Sequence, residues 1–146
     1  MIIAIDFDGT IVEHKYPAIG KEVPGAVETL KQLIRDGHRL ILWSVREGKL
    51  LDEAVRWCED RGITFYSVNK DFAEETEADR HFSRKLKADL FIDDRNLGGL
   101  PDWKVIYQMI ASGNPHQPLH VTTVIDTRQA EMMKRYKKSS RRGRLF

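Results

Sequence analysis

Apolar and polar positions alternate along the chain in two rhythms. Four short runs have the composition of buried strands: residues 2–6 (IIAID), 39–44 (RLILWS), 63–68 (ITFYSV) and 89–93 (DLFID). Between them the apolar residues recur at helical spacing. Val27, Leu30, Leu33 and Ile34 share one face of a predicted helix over 25–36, opened by Pro24-Gly25 and stopped by Gly37. Leu50, Leu51, Ala54, Val55 and Cys58 do the same over 49–60, ended by Gly62. Trp103, Ile106, Tyr107 and Ile110 mark a third helix to 110, with Asp102 as its cap. The polar, acidic stretch 69–79 reads as a surface loop, 81–87 as a short helix and 96–101 as a loop. A fifth strand is predicted over 121–125 and a last helix over 126–136, capped by Asp126.

Strands and helices that alternate through short connections imply an α/β fold: a parallel sheet with helices on both faces, a three-layer α/β/α Rossmann-like arrangement. The intervals after the first strand and between strands three and four are too short for a folded cap domain, so residues 13–21 form at most a flap, with His14, Lys15 and Tyr16 on the substrate side. The core is expected over residues 1–130, followed by a basic tail over 131–146. Ligand sites in such sheets lie at the C-terminal strand ends, and the chemically interesting residues fall there.

The first strand ends in Asp6, and Asp8 follows in the run Asp6-Phe7-Asp8-Gly9-Thr10. Side chains two apart on a strand point the same way, and two carboxylates held together repel unless a cation or a proton intervenes. A hard divalent cation suits such oxygen ligands, and one carboxylate can attack an electrophile while the other moves protons. Ser44 ends the second strand, where a hydroxyl can bond a transferring phosphoryl oxygen. Asp93 and Asp94 end the fourth, and adjacent buried acids are costly without a cation. Arg46, Arg95 and Lys15 are candidates to bind a second anionic group of the substrate.

The run of four apolar residues leading into DFDGT resembles motif I (hhhhDxDGT) of the haloacid dehalogenase superfamily, and Ser44 and Asp93–Asp94 stand where that family has motifs II and IV. The resemblance covers residues 1 to about 94 and implies a capless, Mg²⁺-dependent phosphatase. Asp6 would be the nucleophile that forms an aspartyl-phosphate. Asp8 would be the acid/base, with its backbone carbonyl also on the metal. Asp93 and Asp94 would complete the metal site, Asp94 favoured as the direct ligand. The family's motif III lysine falls to Lys85, with Lys87 and Lys70 as alternatives. Phosphotransfer to another acceptor is the alternative chemistry.

Composition narrows the partners. A lone Cys58 gives no disulfide framework and no cysteine zinc site. Neither a signal peptide nor a membrane span is supported, so cytoplasm is the expected compartment. Net charge is +2, but seven Lys/Arg between Lys134 and Phe146 stand without an acid, leaving the body acidic. That tail makes a nucleic-acid module the third reading, disfavoured because nothing in the expected catalytic set is missing. The expected partner is a small phosphorylated substrate, in an open site or one covered by a second subunit of a homo-oligomer. Nothing in the residue pattern names a base, sugar or peptide pocket.

Overall fold

A computed structural model describes residues 1–79 and 83–117. In chain order its elements are β1 (Ile2–Ile5), α1 (Ala26–Arg35), β2 (Arg39–Leu42), α2 (Gly48–Glu59), β3 (Ser67–Val68), β4 (Leu90–Ile92) and α3 (Trp103–Ala111). The strands form one parallel sheet in the order β3-β2-β1-β4. β1 takes an interior place because Ile3, Ala4 and Ile5 are all apolar and can be buried on both faces. Ile5 pairs with Leu42 on one side and Ile92 on the other. The residues that follow these three strands therefore emerge side by side at one sheet edge.

Residues Met1–Pro115 form one compact unit. Ile3, Ile5, Leu40, Leu42 and Ile92 point into a core shared by all three helices: Leu30 and Leu33 of α1, Ala54 and Cys58 of α2, Trp103 and Ile106 of α3. Ala4 and Ile41, on the opposite face, pack on Leu86 with Ala88 and Phe91. Among the described residues, that second face is covered by the chain leading into β4 rather than by a helix. The α/β class, the parallel sheet and the absence of a cap agree with the sequence pattern.

Two local expectations differ. The third strand pairs over two residues only, because Ile63 is used to close α2: its N–H donates to the Cys58 carbonyl (3.0 Å), and pairing with β2 begins at Tyr66. The part of the expected 81–87 helix that is described, 83–87, is not helical; the Lys87 N–H is held by Asp71 Oδ1 (2.6 Å). Strand 121–125, helix 126–136, the limit at residue 130 and the basic tail lie outside the described residues. Among the described residues no helix is long and apolar enough to cross a membrane.

Between β1 and α1 the chain builds a closed flap. Its neck is the bond from the Glu13 N–H to the Lys21 carbonyl (2.7 Å), and the Val23 N–H donates to Ile11 (2.9 Å). Gly20 lies so close to the neck that a Cβ there would run into the Glu13 carbonyl oxygen and carbon, which are backbone and cannot swing aside. Gly20→Ala should therefore force the neck open and lower the melting temperature by on the order of 5 °C, as read by thermal unfolding. An unchanged melting point would show that the neck is loose.

Candidate active site

Three strand ends converge. The Asp6 N–H donates to the Ile92 carbonyl (3.0 Å), and the Trp43 N–H to the Ile5 carbonyl (2.8 Å), so the ladder continues one step past the strands; Asp6 and Asp93–Asp94 meet there, with Ser44 following β2 at the same sheet edge. Carboxylate oxygens of Asp6, Asp93 and Asp94 all lie within 4.8 Å of one another. Thr10 sits among them, fully buried. Its hydroxyl is within donating distance of Asp6 Oδ2 (3.1 Å) and Asp94 Oδ1 (3.3 Å), which must share one proton, and it accepts from the Asp94 N–H (3.0 Å). Gly9, at φ +84°, lies against the Asp94 carboxylate, where a Cβ would collide with it; the glycine of the DFDGT run is needed for that approach as well as for its turn. The buried Trp103 indole N–H holds the Thr10 carbonyl (3.1 Å), fastening the loop from below.

This crowding has an electrostatic cost. Burial, then the charge of Asp93, then a hydrogen bond shared with Asp94 push the Asp6 carboxyl up to about 7, against the opposing bonds from Thr10 and the Phe7 backbone. Three hard oxygen donors, one of them under-compensated as an anion, are a donor set that fits a divalent cation such as Mg²⁺.

The Asp8 side chain is not part of this triad: it meets Arg46, whose Nε donates to Oδ2 (2.6 Å) and Nη2 to Oδ1 (2.7 Å), leaving the backbone carbonyl as the group expected on a metal. Arg46 was a candidate to bind a second anionic group of the substrate, and here the structure corrects the sequence: it is 1% exposed and turned to Asp8. Its remaining N–H groups go to the carbonyls of Ala18 (2.9 Å), Pro17 (3.1 Å) and Leu50 (3.4 Å), so all five donors are committed within the protein. The guanidinium also lies over the rings of Phe7 (5.3 Å) and Tyr16 (5.2 Å). The bond to Asp8 raises the Arg46 pKa above its ordinary value.

Ser44 is pinned at both backbone groups by Asn69: its N–H donates to Asn69 Oδ1 (2.8 Å) and its carbonyl accepts from Nδ2 (2.9 Å). Ser44 Oγ accepts the Arg46 N–H (3.1 Å), which leaves its own proton to donate. Asn69 was read only as part of a loop. The signal was its place directly after a strand, where Asn tolerates the left-handed backbone found here (φ 54°). Lys85 is exposed, with its ammonium 5.7 Å from the Phe91 ring centroid. By strand alternation Phe91 shares a face with Asp93, so Lys85 comes alongside that face but does not line the cavity. Lys70 and Lys87 are exposed. Arg95 is exposed, with its N–H on Asp93 Oδ1 (2.8 Å).

The cavity is about 200 Å³, with Asp6, Asp8 and Asp93 on its floor and His14, Tyr16, Val45 and Arg95 around the mouth. Cys58 is remote from it in the core, its thiol pushed up to about 12 by burial, and is no nucleophile.

The solved structure of a conserved protein from Bacteroides thetaiotaomicron is 62% identical to this chain, covers 81% of it and 98% of its own length, and superposes with a TM-score of 0.74. The chain belongs to the family of that protein. A second likeness is distant: a Bacillus cereus protein named "Putative nucleotidase" is 23% identical over 86 residues, which are 59% of this chain. The match spans 46% of that relative, so the chain aligns with about half of its length. No family model matches.

Proposed function

We propose that this protein is a Mg²⁺-dependent phosphomonoester hydrolase of haloacid dehalogenase type, with Asp6 as nucleophile. The observation that carries the reading is the gathering of the Asp6, Asp93 and Asp94 carboxylates around the Thr10 hydroxyl at the C-terminal edge of a parallel sheet. The order of the motifs along the chain and the likeness to a nucleotidase support it.

Asp6, Asp93 and Asp94 would hold the ion, with the Asp8 backbone carbonyl. When bound, Mg²⁺ supplies positive charge that keeps the Asp6 carboxylate ionised and offsets charge on the phosphoryl oxygens. An Asp6 oxygen attacks phosphorus as the P–O bond to the leaving alcohol breaks. Asp8 gives the departing oxygen its proton, then takes one from the water that cleaves the aspartyl-phosphate and releases phosphate. Each Asp8 oxygen accepts one bond from Arg46 as the site stands, so the transferred proton would ride on a remaining lone pair or follow a turn of Asp8 off the guanidinium. Ser44 donates to a phosphoryl oxygen, and Lys85, which rests beside Phe91 outside the cavity, would have to swing in to meet one. Transfer to an acceptor other than water would need a site that excludes water, and the flap leaves the cavity open.

Purified protein stripped with EDTA should not hydrolyse phosphomonoesters and should regain turnover with millimolar Mg²⁺. Its melting temperature should rise on adding the ion, and the rise should be lost in Asp94→Ala. A stripped protein whose melting curve ignores Mg²⁺ would remove the metal site from this reading.

A further inference from the structure

We propose that the leaving group of the substrate carries a flat aromatic ring that stacks on Tyr16 beside Val45. The inference rests on the phosphomonoesterase reading above and extends it to the substrate class.

Attack by Asp6 fixes the phosphorus on the cavity floor, and with no cap among the described residues the leaving group lies across the mouth. Two walls of that mouth are apolar surface given to solvent: Val45 is 85% exposed and Tyr16 48%. Neither is a loose surface residue. Arg46 holds the carbonyls of Pro17 and Ala18, which follow Tyr16, and its guanidinium backs the Tyr16 ring at 5.2 Å. Val45 lies between Ser44, pinned by Asn69, and the buried Arg46 itself. A buried cation with five committed donors thus presents an aromatic ring and an isopropyl group at fixed positions. Rigid apolar surface beside a reacting centre is what a planar ring can use, because it stacks without needing a hydrogen-bond partner at each position. A sugar needs polar partners for its hydroxyls, and Val45 and the face of Tyr16 offer none. His14 and Arg95 stand at the same mouth, available to polar edges of a ring system.

The test is kcat/KM with Mg²⁺ on two matched pairs: benzyl against cyclohexylmethyl phosphate, and adenosine 5′-monophosphate against ribose 5-phosphate. Within each pair the leaving oxygen is a primary alcohol, so a difference reports the ring rather than leaving-group reactivity. The aromatic member should win by about tenfold, the size of one stacking contact. A preference confined to the adenine pair assigns the ring to a nucleotide base; a preference in both assigns it to aromatic rings generally. Tyr16→Ala should bring the ratio near one and Tyr16→Phe should keep it. Val45→Asp, at an exposed position that leaves folding intact, should also narrow it. Ratios near one in both pairs for the wild type, or a Tyr16→Ala loss equal on all four substrates, would overturn the inference and leave the phosphatase reading standing. Failure to hydrolyse any of the four would remove both.

Discussion

Asp6→Asn is expected to reduce p-nitrophenyl phosphate hydrolysis to less than a tenth of the wild-type rate and, in the metal-free protein, to raise the melting temperature at alkaline pH. The first effect follows from the proposed role of Asp6 as nucleophile, with the Asp8 carboxylate already engaged by Arg46. The second follows from the sign of the Asp6 shift. Its carboxyl titrates at about 7 in the folded protein against an ordinary 3.8, so the folded state holds a proton that the unfolded chain has released between those values. Stability attributable to Asp6 therefore falls as pH rises from about 4 to about 7, and the full penalty applies above it. Asparagine keeps an oxygen for the Thr10 hydroxyl and carries no charge. The variant should melt above the wild type at about pH 8, by a few °C, and converge with it toward about pH 4. Two parallel melting curves across that range would show that Asp6 is not under electrostatic strain. Wild-type-like turnover would show that another group is the nucleophile.

Arg46→Met should be the most destabilising single change at the site. It would leave the Asp8 carboxylate buried without a counter-charge and strip donors from the Pro17, Ala18 and Leu50 carbonyls. Removing one partner of a buried ion pair costs about 3–5 kcal/mol, which for a chain of this size is on the order of 10 °C in melting temperature. Arg46→Lys should recover only part of it, because a single ammonium cannot reproduce the two-pronged bond to Asp8 together with the carbonyl contacts. The double variant Asp8→Asn/Arg46→Met should be more stable than the sum of the two losses predicts, since the stranded charge is gone. Additive losses in thermal or urea unfolding would mean that Arg46 stabilises through packing on Phe7 and Tyr16 rather than through the pair. The flap would then be held by the Pro17 and Ala18 carbonyl bonds and the ring contacts, without help from the pair with Asp8.

Local chemistry made much of this protein legible from its sequence. A four-residue apolar run that ends in acids, the 3.6-residue spacing of Leu30 and Leu33 or Trp103, Ile106 and Ile110, and glycines at helix ends are each decided within a few residues of chain. These features sufficed for the parallel α/β class, for the three described helices to within a residue or two, and for locating Asp6, Ser44 and Asp93–Asp94 at one edge. What only the tertiary structure decided depends on partners far apart in the chain. Asp6 and Asp8 are equivalent by strand alternation, yet the chain leaves the strand after Ile5: the Asp6 carboxylate joins Asp93 and Asp94, while the Asp8 carboxylate meets an arginine 38 residues away. Arg46 looks like any surface cation in the sequence; its burial follows from the flap folding back over it, with carbonyls that no side-chain pattern reveals. Asn69 and Trp103 act through hydrogen bonds to Ser44 and Thr10, 25 and 93 positions distant. The third strand is short because its first residues finish a helix, a competition between two hydrogen-bonding uses of one N–H. Periodicity records which face of an element is buried; it carries no record of which polar group waits on the other side, because that is set only when the strand ends are brought side by side.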